Sequence, residues 1–306
     1  MRGLRSGAIR LFRFAGIDLF LHWSWFLVAA YEIGDRASRY SSLSWNVLEY
    51  LALFLIVMCH EFGHALACRQ VGGTSNQIVL WPLGGVAYVN PPPRAGAMLW
   101  SIAAGPLVNV ALVPILWAAG QLSRSMGWAE TMPNAHALLQ AVWAINLGLL
   151  VFNLLPIYPL DGGQILRSLL WFAVGRARSL MIAAIIGFVG VAGLIGLALW
   201  AHSSWFLILS VFIVMNCWRG LRSAQALSRL AKLPRHAGFA CPACKGAPPM
   251  GNLWMCPTCS NPFDTFQTGA VCPNCAARFA ATACLDCGKS HSMNQWAAPA
   301  AAFPPL

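Results

Sequence analysis

The sequence predicts an all-α polytopic membrane protein of about six transmembrane helices, followed by a small cysteine-rich module. Three observations carry that prediction. First, 58% of the 306 residues are hydrophobic and only 9% are charged, against about 25% in an ordinary soluble domain. Nine acidic residues cannot cover a globule of this size, which argues against a soluble enzyme. The chain is also neither polar nor repetitive enough for a disordered or fibrous protein. Second, apolar stretches long enough to cross a bilayer recur along the chain. Third, eight of the eleven cysteines crowd between Cys241 and Cys287.

The six candidate spans run roughly over 17–33, 47–68, 97–119, 137–157, 180–200 and 204–218. Tryptophans 23, 45, 100, 117, 200, 205 and 218 cluster near their ends, as an interfacial belt requires. With the N-terminus placed in the cytoplasm, the inside segments carry Arg2, Arg5, Arg10, Arg13, Arg69, Arg94, Arg167, Arg176, Arg178, Arg219, Arg222, Arg229, Lys232 and Arg235. The outside loops carry only Arg36, Arg39 and Arg124. That asymmetry puts both termini in the cytoplasm, with the bacterial inner (cell) membrane as the expected location. The first apolar stretch is too long for a secretory signal, and no small-residue cleavage site follows it.

Between spans two and three lies Ile78-Val79-Leu80-Trp81-Pro82-Leu83-Gly84-Gly85-Val86-Ala87-Tyr88-Val89. It is β-prone, broken by Pro and Gly-Gly, and too short to cross as a helix. A membrane-reentrant β-hairpin is expected there, buried by protein or lining a wet cavity. The chain then divides into a membrane domain over 1–220, a linker over 221–240, a metal-binding module over 241–289 and a disordered tail over 290–306.

His60-Glu61-Phe62-Gly63-His64 falls within the second span. On a helix, histidines four residues apart share one face and both imidazoles reach a single zinc ion. Glu61 beside them is placed to take a proton from water. Ionisable groups within a span are costly and mark function. A catalytic zinc takes three protein ligands and keeps one open position. Asp161, at the mouth of the fourth span in Asn153-Leu154-Leu155-Pro156-Ile157-Tyr158-Pro159-Leu160-Asp161-Gly162-Gly163, supplies the third. Spans two and four run in the same direction, so Asp161 and the histidines lie in the same half of the membrane.

HEFGH in a span, followed about a hundred residues later by NLLPIYPLDGG, resembles the site-2 protease family of intramembrane zinc metalloproteases. Gly105-Pro106-Leu107-Val108-Asn109 looks like another of its motifs. The Leu83-Gly84-Gly85-Val86 turn is similar to its reentrant hairpin, and Gly16-Ile17-Asp18 to His22 to its first segment. The resemblance covers roughly residues 10–220. It implies His60, His64 and Asp161 as zinc ligands, Glu61 as the catalytic base, and Asn153, Gly84 and Gly85 as substrate-side residues. It also implies cleavage of membrane-spanning protein substrates within the lipid bilayer, in regulated intramembrane proteolysis. Many bacterial relatives carry a PDZ domain between the two zinc motifs. Here a hairpin and one span fill that gap, which resembles the compact branch of the family. A catalytically inactive scaffold of the same fold and a zinc transporter using the same ligands are the alternatives. Glu61 and all three ligands are present, and neither inverted repeats nor ligands on both sides of the midplane are seen, which argues against both.

The eight clustered cysteines form four CxxC knuckles: Cys241/Cys244, Cys256/Cys259, Cys272/Cys275 and Cys284/Cys287. Four thiolates close a structural zinc site, so the segment resembles a double zinc ribbon and brings the expected total to three zinc ions, one catalytic and two structural. Consecutive knuckles are expected to pair, with interleaving left open. Charged side chains from 241 to 289 sum to +1, and eight thiolates on two zinc ions outweigh that with negative charge. The balance disfavours nucleic acid and favours a cytosolic protein partner. The basic stretch 219–235 suits anionic lipid headgroups. His22 reads either as an interfacial histidine or as a neighbour of the active site. Gly187, Gly190, Gly193 and Gly196 read as close helix packing, and Cys59 and Cys68 as small apolar residues.

Overall fold

The computed structural model describes residues 7–35, 38–81 and 84–296. It divides into two compact units, Met1–Arg222 and Ser223–Leu306.

The first unit opens with strands β1 (Ala8–Phe14) and β2 (Ile17–His22), then helices α1 (Ser24–Asp35) and α2 (Leu43–Gln70), then strands β3 (Thr74–Trp81) and β4 (Gly84–Asn90). Helices α3 (Ala95–Ser125), α4 (Trp128–Thr131), α5 (Pro133–Leu154), α6 (Asp161–Val174) and α7 (Arg176–Trp200) follow, and α8 (Ser204–Lys232) begins in this unit and runs on past Arg222. Among the described residues, five helices, α2, α3, α5, α7 and α8, are long and apolar enough to cross a membrane. The chain is an integral membrane protein.

The segment expected as the first span is divided. Its opening half, Ile17–His22, is a strand, and α1 has only 12 residues, about 18 Å of helix. The alternation of Ile17, Leu19 and Leu21 carries the strand, which apolar length alone does not reveal. Ala15 and Gly16 both take positive φ, 49° and 74°, the backbone of the tight turn that joins β1 to β2.

The expected hairpin is correspondingly two strands of four. The sheet runs β1-β2-β3-β4, antiparallel at both outer pairs and parallel between β2 and β3. Parallel pairing requires a crossover, here supplied by α1 and α2. Ile17, Leu19, Ile78 and Leu80 are fully buried and pack on Ala65 and Trp25, with Phe62 alongside. The sheet therefore lies against the middle of α2, where the HEFGH sequence is. Arg69, on the last turn of α2, donates to the carbonyls of Ala15, of Gly16 at 3.0 Å and of Ser75 at 2.7 Å. Pro82 and Leu83, part of the expected turn, lie outside the described residues.

The second unit is built on its cysteines. In each knuckle the N–H of the first cysteine donates to the carbonyl five residues on. The N–H four residues on donates back to the first cysteine, all at 2.8–3.0 Å. That fourth position takes positive φ in every case: Lys245, Ser260, Ala276 and Gly288. Strands β5 (Trp254–Met255) and β6 (Pro262–Phe263) flank one knuckle, and β7 (Thr282–Ala283) and β8 (Ser290–His291) flank another. A short helix, α9 (Met293–Trp296), closes the unit.

The expected consecutive pairing of knuckles is corrected. Cys241, Cys244, Cys284 and Cys287 form one group, and Cys256, Cys259, Cys272 and Cys275 form the other. The arrangement is nested, outer with outer. Facing sulfurs stand 3.6–3.7 Å apart, close to the edge of about 3.8 Å of a tetrahedron with Zn–S bonds of about 2.3 Å. The reason lies in the two ends of the module. Trp296 is fully buried, its ring 4.9 Å from Phe266, and its carbonyl accepts from Ala240 N–H at 2.9 Å. Arg235 donates to Asp286 at 2.7 Å. Joining the ends sets the first knuckle against the last. Asp264, buried, would be raised by burial. N–H donors from Gly251 and Phe266, with His236, hold it below the ordinary carboxylate range instead.

Two boundaries differ from expectation. The linker 221–240 is helical as far as Lys232 because Ala, Gln, Leu, Arg and Lys in this stretch sustain a helix after hydropathy falls. Residues 290–296 of the expected disordered tail are ordered around Trp296. Residues 297–306 lie outside the described residues.

Candidate metal centre

The site is assembled where α2, α3 and the start of α6 meet. His60, Glu61 and His64 are all buried on α2. Leu155–Leu160 breaks the chain between α5 and α6 with two prolines, and Asp161 opens α6. A Cβ at Gly162 would stand 2.3 Å from the carbonyl oxygen of Leu154, and one at Gly163 2.3 Å from the backbone nitrogen of Tyr158. The Gly-Gly pair is thus what lets α6 fold back on the end of α5 and deliver Asp161.

The delivered carboxylate meets both histidines. Asp161 Oδ2 is 3.0 Å from His60 Nε2 and 3.3 Å from His64 Nε2, and the two Nε2 atoms are 3.1 Å apart. A tetrahedral zinc with bonds of about 2.0–2.1 Å to nitrogen and oxygen has edges of about 3.3 Å, so the three atoms match one face of such a site.

The far side of each ring decides the chemistry. His64 Nδ1 is 2.9 Å from the carbonyl oxygen of Ser101, which only accepts, so Nδ1 carries a proton and Nε2 is the nitrogen turned to the ligand group. His60 Nδ1 is 2.6 Å from Asn109 Oδ1. The Asn109 amide is fixed by donating to Asn146 Oδ1 at 2.8 Å, while Asn146 donates back to the Asn109 carbonyl at 3.0 Å. His60 therefore also turns Nε2 to the ligand group. Two imidazole nitrogens and a carboxylate oxygen within 3.3 Å of one another are held together by a proton or a metal ion among them. The donor set fits zinc.

Helix α3 contributes by its lack of bulk. A Cβ at Gly105 would stand 2.3 Å from His64 Nε2 and 2.8 Å from His60 Nε2. Asn109, one turn on, reaches His60. Ser101 and Asn146 escaped the sequence reading. An asparagine inside a span, costly without a partner, is the signal that marks Asn146; a backbone carbonyl such as that of Ser101 leaves none.

The remaining expectations are placed as follows. Asn153 is half-buried on the last turn of α5. Gly84 and Gly85 begin β4, opposite Trp81 and Leu80. His22 stacks on Trp81 at 4.2 Å and lies 2.6 Å from the Ser24 hydroxyl, apart from the ligand group. The glycine row of α7 is packed at one end only. A Cβ at Gly187 would meet Cys217, and one at Gly190 Ile157, whereas Gly193 and Gly196 face open space.

A bundle of apolar helices holding an H-E-x-x-H pair and a remote aspartate defines a membrane-embedded metalloprotein of the zincin type. The chain belongs to Peptidase family M50, which its residues 49–134 and 125–197 match. It is 36% identical over 180 residues to a zinc metalloprotease of Methanocaldococcus jannaschii, spanning 59% of this chain and 50% of that protein. It is 32% identical over 128 residues to the stage IV sporulation protein FB of Bacillus subtilis, 40% of this chain and 41% of that one. Among solved structures it is similar to a site-2 protease from Methanocaldococcus jannaschii, with a TM-score of 0.51 and 28% identity, over 70% of this chain and 95% of that one. The chain spans about half the length or less of these two curated relatives.

Proposed function

We propose that the protein is an intramembrane zinc endopeptidase that cuts the transmembrane segments of other membrane proteins. The observation that carries this reading is the convergence of His60 Nε2, His64 Nε2 and Asp161 Oδ2 beside buried Glu61, within apolar helices. In this reading His60, His64 and Asp161 hold the zinc. Bound there, zinc supplies Lewis acidity to the scissile carbonyl and acidifies water.

The residues of the chain divide the remaining tasks. The Glu61 carboxylate takes a proton from the attacking water and returns it to the leaving amine nitrogen. Asn153, or a backbone N–H near it, donates to the developing oxyanion. A helical substrate hides its carbonyls in i→i−4 bonds and must unwind before it is cut. Strand β4 is an edge of the sheet and opens with Gly84 and Gly85, so an unwound segment pairs with it by strand addition. Asn109, held by Asn146, keeps His60 in the tautomer that ligation needs.

Residues 1–220 form the proteolytic domain, and the nested knuckles of 241–289 hold two structural zinc ions. The arginine distribution puts both termini in the cytoplasm of a bacterial cell, where reduced thiols persist. There the ribbons recognise a protein partner or the flank of a substrate.

Two predictions follow from these assignments. Asn109→Ala removes the acceptor for His60 Nδ1–H and is expected to weaken zinc at the membrane site by about 10–100-fold, as measured by competition with a calibrated chelator. Cys241→Ser with Cys244→Ser dismantles the outer ribbon site, since Cys284 and Cys287 lose their partners. Zinc content is expected to fall from three to two per chain by elemental analysis. A fall in cleavage of a full-length substrate, with cleavage of its isolated span unchanged, places substrate recognition on the ribbons. The function itself is tested by comparing membrane fragments from cells carrying wild type and Glu61→Gln. New termini within spans, lost in the variant, are expected. Identical fragment sets contradict the proposal.

A further inference from the structure

The segment that delivers Asp161 is braced from a side that the ligand set does not use. Leu155–Leu160 forms neither helix nor strand. Asp161 follows it directly, and its Oδ2 stands within 3.3 Å of both histidine nitrogens. Most carbonyls of the segment are served nearby. That of Leu155 accepts from Ile157 N–H at 2.7 Å, and that of Ile157 from Leu160 N–H at 2.8 Å. That of Pro159 accepts from the Gln164 side chain, and that of Leu160 from Gln164 N–H, both at 3.0 Å. The Tyr158 carbonyl is served from far along the chain, by Cys217 Sγ on α8 at 2.9 Å.

That thiol is turned away from its own helix. Ser210 and Asn216, also on α8, donate back to carbonyls four residues earlier, those of Phe206 at 2.7 Å and Phe212 at 2.8 Å. Short polar side chains inside helices commonly do so. Cys217, fully buried, donates across to another element instead. It also closes a core that α7 and α8 share. Val191, Leu209, Ile213 and Cys217 are buried together, and Ile157 and Tyr158 pack against them.

Glycines make this seat tight. A Cβ at Gly187 on α7 would stand 2.6 Å from Cys217 Sγ and 2.9 Å from the Tyr158 carbonyl oxygen. One at Gly190 would stand 2.4 Å from the Ile157 side chain, and one at Gly220 on α8 2.9 Å from the Tyr158 ring. From α6, a Cβ at Gly163 would meet the Tyr158 backbone nitrogen at 2.3 Å. Approaches this close leave the backbone of Tyr158 little room to shift. Gly193 and Gly196, further along α7, meet nothing within 4 Å among the described residues. The close approach is confined to the stretch of α7 that faces the segment.

We propose that Cys217 and Gly187 are positioning residues for the metal centre. They fix Tyr158, three residues before Asp161, and through it the carboxylate that completes the ligand triangle. His60 and His64 share one helix, α2, which sets their spacing by itself. Asp161 arrives at the end of an irregular segment, and a ligand so delivered keeps its place only when the groups behind it are locked. The inference rests on Asp161 holding zinc and not on cleavage.

The test uses the full-length protein in lipid nanodiscs and measures zinc at the membrane site by competition with a calibrated chelator, with the ribbon zinc as the reference. Cys217→Ala is expected to weaken that site roughly three- to ten-fold. Gly187→Ala, whose methyl group presses on the Tyr158 carbonyl, is expected to weaken it by about ten-fold or more. Two controls separate positioning from packing. Ile213→Val trims the same core but leaves the Tyr158 carbonyl its donor, and is expected to lower the melting temperature while zinc binds as in wild type. Gly193→Ala adds a methyl group to the same helix where nothing meets it, and is expected to change neither. Wild-type zinc affinity in Cys217→Ala or in Gly187→Ala overturns the proposal, and so does an equal loss in Ile213→Val. Asp161→Ala, run alongside, keeps this failure apart from failure of the ligand assignment. If it still holds zinc at the membrane site, Asp161 leaves the ligand set and the proposal falls with it.

Discussion

Glu61→Gln is expected to reduce cleavage of a model span by roughly 10²–10⁴-fold while zinc at the membrane site stays bound. The glutamine side chain fills the same volume and leaves His60, His64 and Asp161 in place, but it accepts no proton. Glu61 is buried on α2, one residue from His60, so the change is confined to the acid–base step. The measurement pairs zinc content with cleavage in the same purified sample. A variant that keeps a tenth or more of wild-type cleavage removes Glu61 from the role of base. Loss of zinc together with activity means that Glu61 supports the ligand set rather than the proton transfer.

Asp161→Ala is expected to empty the membrane site and abolish cleavage. Its Oδ2 closes the triangle with the two Nε2 atoms at 3.0 and 3.3 Å. Without it, the two imidazoles face each other at 3.1 Å with no anionic ligand. Total zinc is expected to fall from three to two per chain. Since the ribbon variant loses its zinc from the other unit, the combined variant of Asp161, Cys241 and Cys244 is expected to retain one. A single Asp161→Ala chain that still holds three zinc ions contradicts the ligand assignment.

How much of this was legible in the sequence varied with the range of the interaction. HEFGH is a local pattern on a helix, and a four-residue spacing fixes which side chains share a face, so His60 and His64 were readable directly. Asp161 was readable because few acids occur in or beside apolar spans. The sheet was only half legible. Residues 78–89 announced strands by their β-prone residues, broken at Pro82 and Gly84-Gly85, whereas Ile17–His22 ran into the apolar start of α1 and read as one span. Its strand state depends on pairing with β3, more than fifty residues away. The knuckles were legible as zinc ligands but not in their pairing. That is set by the burial of Trp296 and the Ala240–Trp296 hydrogen bond, contacts between the two ends of the module. The Asn109–Asn146 pair lies in the same category. Each asparagine is visible as a polar residue in a span, but which side chain it turns toward is a property of α3 packing on α5.

The central claim is that a metal-dependent cut is made inside the apolar stretch of a spanning substrate. The most direct measurement incubates the purified full-length protein, reconstituted in lipid, with a single-span substrate and locates the new termini by mass spectrometry. The account predicts a cut within the apolar segment that is lost on zinc chelation, regained on adding zinc, and absent in the His60→Ala variant. A cut only in the soluble flanks, or cleavage that persists in His60→Ala, would contradict it.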